Sequence, residues 1–108
     1  MPTATIDTKA INDWDSLHTV CQQAFGFPDF YGRNGDAFID CLSYLDDDSG
    51  MTRFVLKPGE ILTVQLPNAD GFAKRAPEQA LALLVWIGDV NARYTEDGQP
   101  PPLVLLPL

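Results

Sequence analysis

The sequence predicts an α/β fold in which a small parallel sheet is covered by helices. Residues 61–66 and 103–106 are continuous apolar runs with the length and composition of buried strands. Segments with helical periodicity separate the strand candidates, as the connections of a parallel sheet require. With 108 residues, 45% of them hydrophobic, the whole chain is expected to form one domain around a single core.

The first part of the chain is predicted to form a short strand and then a helix. Residues 3–6 are the strand candidate, and Asp13 is the N-cap candidate of a helix that runs to about Phe25 and ends at Gly26. The predicted core-facing side of this helix consists of Trp14, Leu17, Cys21, Ala24 and Phe25. His18 lies beside that side. We expect a surface or half-buried histidine there, because no second metal-ligand candidate pairs with it.

A second helix is predicted after Asn34, which can cap it. Its buried side is expected to contain Ala37, Phe38, Cys41, Leu42 and Leu45, and its exposed side Asp36, Ile39, Asp40 and Ser43. Asp36 and Asp40 are one turn apart, with Cβ atoms about 6 Å from each other, and like charges so placed cost roughly 0.2–0.5 kcal/mol. The helix dipole favours an acid in the first turn, which explains Asp36 in part. Asp40 has no such explanation and therefore indicates a partner outside the helix.

The middle of the chain is predicted to contain a hairpin at the edge of the sheet. Residues 53–56 and 61–66 are its strand candidates, and Pro58 followed by Gly59 suits the centre of a type II turn between them. Asn68 is then expected to cap a short helix over residues 69–75.

A long helix is predicted to begin at Pro77, which suits the first helical position, and to run to about Tyr94. Apolar residues lie around most of its circumference, so it is expected to be deeply packed. Residues 103–106 form the last predicted strand.

Charge is unevenly distributed over the chain. The net charge is −8, and residues 1–48 hold nine acids and two bases, a balance of −7. Such a field repels nucleic acid and attracts a basic partner. The longest apolar run, residues 80–88, is too short to span a membrane. No secretory signal is visible at the N-terminus, and Cys21 and Cys41 read as buried free thiols, so we expect a cytoplasmic protein.

The sequence contains no constellation that indicates an enzyme, a cofactor or a metal site. It has one histidine, no Gly-rich phosphate loop and no paired-Cys motif. The acids at 46–48 lack the alternate ligands and distal Glu of a calcium loop. Asp36 and Asp40 could serve a small carboxylate-dependent hydrolase, but that activity needs a pocket that shifts one pKa, and an exposed helix does not supply one.

Residues 27–40, FPDFYGRNGDAFID, resemble the signature region of the barstar family, intracellular inhibitors of the ribonuclease barnase. The shared pattern is Leu/Phe-Pro-x-aromatic-Tyr-Gly-x-Asn-x-Asp-Ala, with another acid four residues after the first. The predicted order of helices and strands is also similar to that family. The resemblance implies a small α/β inhibitor with a three-stranded parallel sheet, to which the hairpin would add an edge.

The resemblance also implies roles for individual residues. Asp40 matches the acid that enters the nuclease phosphate site, Asp36 a second acid at the rim, and Phe30 an aromatic that packs over the catalytic histidine. The residues expected at the partner surface are Phe30, Gly32, Arg33, Asn34, Gly35, Asp36, Ile39, Asp40 and Ser43. The expected partner is a basic secreted-type ribonuclease or a related toxin, bound by a protein that is monomeric when free.

Several residues depart from the barstar pattern, and two of them, Arg33 and Gly35, leave an alternative open. Arg33 lies where barstar has an acid, and Gly35 replaces a large apolar residue. Ile39 replaces a tryptophan. These differences are compatible with a binding module of the same fold whose partner is basic but is not a nuclease.

Overall fold

Three parallel strands form the sheet at the centre of the fold. The computed structural model describes residues 2–108, and its strands are β1 (Thr3–Thr5), β2 (Leu62–Leu66) and β3 (Leu103–Pro107). Their order is β1-β2-β3, with Ala4 opposite Val64 and Val64 opposite Leu105. Every second residue of β2 is buried, which is consistent with its central place. The predicted three-stranded parallel sheet is confirmed.

Helices connect the strands and cover the sheet. They are α1 (Trp14–Phe25), α2 (Gly35–Leu42), α3 (Ala69–Arg75) and α4 (Pro77–Glu96), and a 3₁₀ turn at Thr8–Ala10 precedes α1. α1 and α2 lie between β1 and β2 in the chain, and α3 and α4 lie between β2 and β3. None of the helices in residues 2–108 combines the length and apolar composition that crossing a membrane requires.

The ends of α1 follow from local chemistry, as predicted. The Asp13 carboxylate accepts a hydrogen bond from Ser16 N at 2.8 Å, and Ser16 Oγ accepts one from Asp13 N at 3.0 Å, so the two residues form a capping box. Gly26 ends the helix with a φ of 70° in the left-handed region. Trp14 was expected on the core side but is 44% exposed, because it lies in the first turn, at the edge of the core.

The predicted hairpin is wrong. Residues 53–56 are not a strand, although the turn before β2 is present, with Gly59 at a φ of 79° and Glu60 N donating to Lys57 O at 2.9 Å. Arg53 N instead donates to Phe25 O at 2.9 Å, and Leu56 N donates to Leu45 O. Both sides of β2 are already paired, with β1 and β3, so this segment packs on the first half of the chain.

The later helices have nearly the predicted bounds, but two expectations about them are wrong. The side chain of Asn68 makes no capping hydrogen bond to α3. α4 is buried on one side only: Leu81, Leu84 and Val85 are 62%, 52% and 50% exposed. The sheet, α2 and α3 contact the opposite side of α4, so an apolar circumference did not lead to deep packing.

Cys21 and Cys41 are both buried and free, as predicted. Burial raises the pKa of the Cys21 thiol to about 12. Burial also raises the pKa of Cys41, and the negative charge of the neighbouring Asp40 adds to the effect. Neither thiol is therefore in the electropositive, exposed surroundings of a reactive cysteine.

Candidate functional site

The loop between α1 and α2 presents one aromatic side chain to solvent. Phe30 is 76% exposed, while the next residue, Tyr31, is only 5% exposed. Tyr31 N donates to Pro28 O at 2.9 Å, and Gln22 Nε2 donates to the same carbonyl at 3.1 Å. These bonds fix the backbone on both sides of Phe30, so its exposure is a property of an ordered turn.

A buried histidine of α1, His18, contacts this loop through Tyr31. His18 is 6% exposed, so the expected surface or half-buried position is wrong. Its Nδ1 lies 2.7 Å from Tyr31 Oη, and its ring stacks on Trp86 with centroids 5.7 Å apart. Burial lowers the pKa of His18, the positive charge of Arg33 lowers it further, and Asp15 opposes both effects. The Nδ1 of a neutral ring can accept a hydrogen bond from the Tyr31 hydroxyl, so His18 links α1 to the loop.

Arg33 points back onto α1. Its φ is 53°, in the left-handed region, and its guanidinium Nη2 lies 2.7 Å from Asp15 Oδ1 and 2.9 Å from Thr19 Oγ1. The same nitrogen also donates to the backbone carbonyl of Asp15 at 2.8 Å. The charge of Arg33 is therefore paired within the chain, which weakens the repulsion that it would exert on a basic partner.

The start of α2 is held by a cap and by close packing. Asn34 Oδ1 accepts a hydrogen bond from Ala37 N at 2.8 Å, which confirms the predicted cap. A Cβ atom on Gly35 would lie 2.7 Å from Trp86 Nε1, so only glycine lets the indole approach here. The indole of Trp86, from α4, thus occupies the space beside Gly35. Gly32 is exposed in the preceding turn.

Asp36 and Asp40 both lie on the exposed side of α2, one turn apart. Asp36 has no ion-pair partner among residues 2–108. Asp40 is 60% exposed, and its Oδ1 lies 2.8 Å from Arg93 Nη1. The expectation that nothing within the fold accounts for Asp40 is therefore wrong, although an exposed pair of this kind contributes only about 0–1 kcal/mol.

A family model described as Barstar (barnase inhibitor) matches residues 1–106 of the 108-residue chain. The chain belongs to the barstar family. The comparison with curated proteins yields no match. Family membership agrees with the order of the strands and helices and with the position of the FYGRNGDAF segment between α1 and α2.

Two residues of the expected partner surface have different surroundings in this barstar-family protein. Ile39 is 8% exposed, so its expected place on the exposed side of α2 is wrong. α2 packs against α4, and Ile39 belongs to the buried core. Ser43 is half-buried, and its hydroxyl donates to Ile39 O at 2.7 Å. The side chains that remain open to a partner on α2 are those of Asp36 and Asp40.

Sequence reasoning missed the contribution of α4 to the barstar-family site. Trp86 packs against Gly35 at the start of α2. Arg93 pairs with Asp40, which lies about one and a half turns after Gly35 along α2. Tyr94 Oη also accepts from Leu45 N at 3.0 Å, which fixes the chain after α2. The spacing of seven residues between Trp86 and Arg93 places both on one side of α4, the only local signal for this role.

Proposed function

We propose that this protein is an inhibitor that binds a basic ribonuclease or a related toxin through an acidic surface. That surface consists of Phe30, Gly32, Asn34, Asp36 and Asp40. The observation that carries the proposal is the placement of two exposed carboxylates, Asp36 and Asp40, on one side of a capped helix directly after an exposed aromatic. The barstar-family match over residues 1–106 supports the same class of partner.

The charges of the acidic surface suit an enzyme that binds a polyanion. A ribonuclease holds phosphate groups with arginine and lysine side chains, and carboxylates can take the place of those phosphates. The net charge of −8 extends this complementarity beyond the contact itself and increases the rate of encounter at low salt. A cell that makes a toxic nuclease benefits from such rapid capture, so we place the inhibitor in the cytoplasm of that cell.

The acidic surface is also rigid, which reduces the entropy lost on binding. Asn34 caps α2 at one end, and the Tyr94 hydroxyl holds Leu45 N and Ser43 O at the other. Trp86 packs against the first turn between them. Because the backbone is fixed before binding, most of the conformational entropy lost on association comes from a few exposed side chains such as Phe30.

The exposure of the two acids favours binding over catalysis. A hydrolase that used Asp36 and Asp40 would need an enclosed site in which one carboxyl retains its proton at neutral pH. Asp40 is 60% exposed, and Asp36 is exposed as well. Residues 2–108 bring together no group of three His, Cys, Asp or Glu side chains that could hold a metal ion. The alternative partner, a basic protein without nuclease activity, is an outcome of the test below.

The test is recovery of the partner from the source cell with wild type and Asp40→Ala as baits. Asp70→Ala is the matched control, because Asp70 is also an exposed helical acid in an exposed ion pair, with Lys74 at 3.1 Å. We expect wild type and Asp70→Ala to recover a ribonuclease and Asp40→Ala to lose it. Truncation of such an acid, for which barstar supplies a known example, costs about 2 kcal/mol or more. Recovery of the same proteins by all three baits, or of no nuclease, would contradict the proposal.

Inhibition of purified barnase provides a second measurement with a defined enzyme. The rate of RNA cleavage is followed as the protein is added, with the same three variants. Inhibition by wild type that Asp40→Ala loses and Asp70→Ala keeps supports the proposed surface. Inhibition that all three variants share would mean that the nuclease is bound elsewhere on the chain.

A further inference from the structure

Arg93 lies beside the acid on which the proposed function depends most. Its Nη1 donates to Asp40 Oδ1 at 2.8 Å and contacts Ser43 Oγ at 3.2 Å. Among residues 2–108, no hydrogen bond reaches the other carboxylate oxygen of Asp40, Oδ2. Arg93 is 52% exposed, so its guanidinium has room to leave the pair. The free protein therefore holds a cation of its own at the place where a basic partner would bring one.

We propose that Arg93 is an internal competitor for Asp40 and limits the affinity of the protein for basic partners. This inference rests on the proposed function, because it assumes that a partner cation binds Asp40. The partner must either displace Arg93 or bind Oδ2 next to an existing positive charge. Both routes weaken the complex, and both penalise a partner that offers cations alone.

The opposite role for Arg93 is to position Asp40 for the partner. The two roles differ in the size of their effect on binding affinity. An exposed ion pair that fixes one side chain changes affinity by about fivefold at most. Repulsion between two cations about 6 Å apart, at an effective dielectric constant of about 20, corresponds to roughly 100-fold. A closed interface excludes water and so strengthens the repulsion more than the positioning effect. Competition is therefore the larger of the two effects.

The surroundings of Arg93 make its displacement feasible. Ser43 Oγ already donates to Ile39 O at 2.7 Å and so keeps a lone pair for the guanidinium when Asp40 is occupied. Arg93 also lies near the C-terminal end of α4, where the helix dipole favours a cation. A guanidinium that leaves Asp40 thus remains stabilised nearby, and there its positive charge still opposes the cations of the partner, which is the remaining loss of affinity. Partners with an acceptor opposite Arg93 avoid that loss altogether.

The test is a double-mutant cycle with Arg93→Gln and Asp40→Asn, measured as inhibition of barnase. We expect Arg93→Gln to bind about 10-fold or more tightly than wild type at low salt, and the gain to shrink as salt is raised to about 0.5 M. In the Asp40→Asn background the same substitution should change affinity by less than about threefold. Lys74→Gln is the control for net charge, since it removes an exposed cation from the pair with Asp70. Its effect should stay within about twofold.

The outcomes separate this inference from the proposed function. If barnase is inhibited but Arg93→Gln binds equally or more weakly, the competition is refuted and the inhibitor function stands. If no variant inhibits barnase, the proposed function loses its support from that enzyme. A hexa-arginine peptide then replaces barnase in the same cycle, with binding followed by NMR. Tighter peptide binding by Arg93→Gln that requires Asp40 upholds the competition, and its absence overturns it.

Discussion

Replacement of Gly35 by alanine would place a methyl group against the indole of Trp86. The new Cβ would lie 2.7 Å from Nε1, 2.8 Å from Cε2 and 3.0 Å from Cζ2 of that indole. Ordinary carbon contacts lie at about 3.5–4.0 Å, so the ring would have to retreat by roughly 0.7 Å or more. Three rings oppose that movement, with centroids 5.4 to 6.2 Å from the indole, namely those of Phe38, His18 and Trp14.

The expected loss of stability follows from these contacts. Insertion of a methyl group into a packed site costs about 1–3 kcal/mol, and the reduced freedom of the unfolded chain returns about 0.4–1 kcal/mol on changing Gly to Ala. We therefore expect Gly35→Ala to lower the free energy of unfolding by about 1–2 kcal/mol. For a domain of this size, the midpoint of thermal unfolding should fall by about 4–8 °C.

Urea unfolding followed by circular dichroism measures this loss, with Gly88→Ala as the matched control. Gly88 lies in α4, and a Cβ there would meet no atom of residues 2–108 within 4 Å apart from the local backbone of its own helix, so alanine should stabilise by about 0.5–1 kcal/mol. A Trp86→Leu background should reduce the penalty at position 35. If Gly35→Ala is as stable as wild type while Gly88→Ala gains the expected amount, the indole of Trp86 does not limit the volume at position 35.

Further substitutions test the cap of α1, the buried histidine and the acidic surface. Asp13→Ala should lower the free energy of unfolding by about 1 kcal/mol in urea titrations, because the carboxylate caps Ser16 N. Wild type should lose stability as the pH falls from about 7 to 5, because burial lowers the pKa of His18 below 6.5 and the unfolded chain therefore takes up the proton before the folded protein does. His18→Gln should flatten this decline. Asp40→Asn should change the unfolding free energy by less than about 1 kcal/mol, since its pair with Arg93 is exposed.

A control variant or a contradicting result can be named for each of these substitutions. Asp13→Asn should stay close to wild type, because asparagine caps as well as aspartate, and an equal loss in both variants would argue against the cap. Bonds from Ser16 lower the pKa of Asp13, so its contribution is lost only as the pH falls below 3.8, well apart from the histidine range. A stability that is flat from pH 7 to 5 would contradict the role of His18. A large loss in Asp40→Asn would mean that this acid is structural.

Local chemistry made most of the helices predictable. Asp13, Gly26 and Asn34 form the helix ends that their side chains or conformations favour, and each acts within four residues of itself. The failure at residues 53–56 has the opposite cause. Their backbone groups bond to Phe25 and Leu45, far away in the chain, and no local pattern encodes such partners.

In the candidate site, too, local features were predictable from the sequence and contacts between distant parts of the chain were not. The spacing of Asp36 and Asp40 placed both acids on the exposed side of α2 because helical geometry is local. Arg93 reaches Asp40 across 53 positions of sequence, so the pair could not be foreseen from the spacing of charges. Ile39 is likewise buried through the packing of α2 on the rest of the fold, α4 included, which the residue pattern of α2 alone does not encode.

The packing of Trp86 against Gly35 has an optical consequence. The chain has two tryptophans, and the other one, Trp14, lies 6.2 Å from Trp86 between ring centroids. All indole emission therefore originates beside the first turn of α2, next to Arg33. Trp14 is 44% exposed, so a partner that covers this corner would remove water from it and shift the emission to shorter wavelength. The unlabelled protein thus carries its own fluorescent reporter of complex formation.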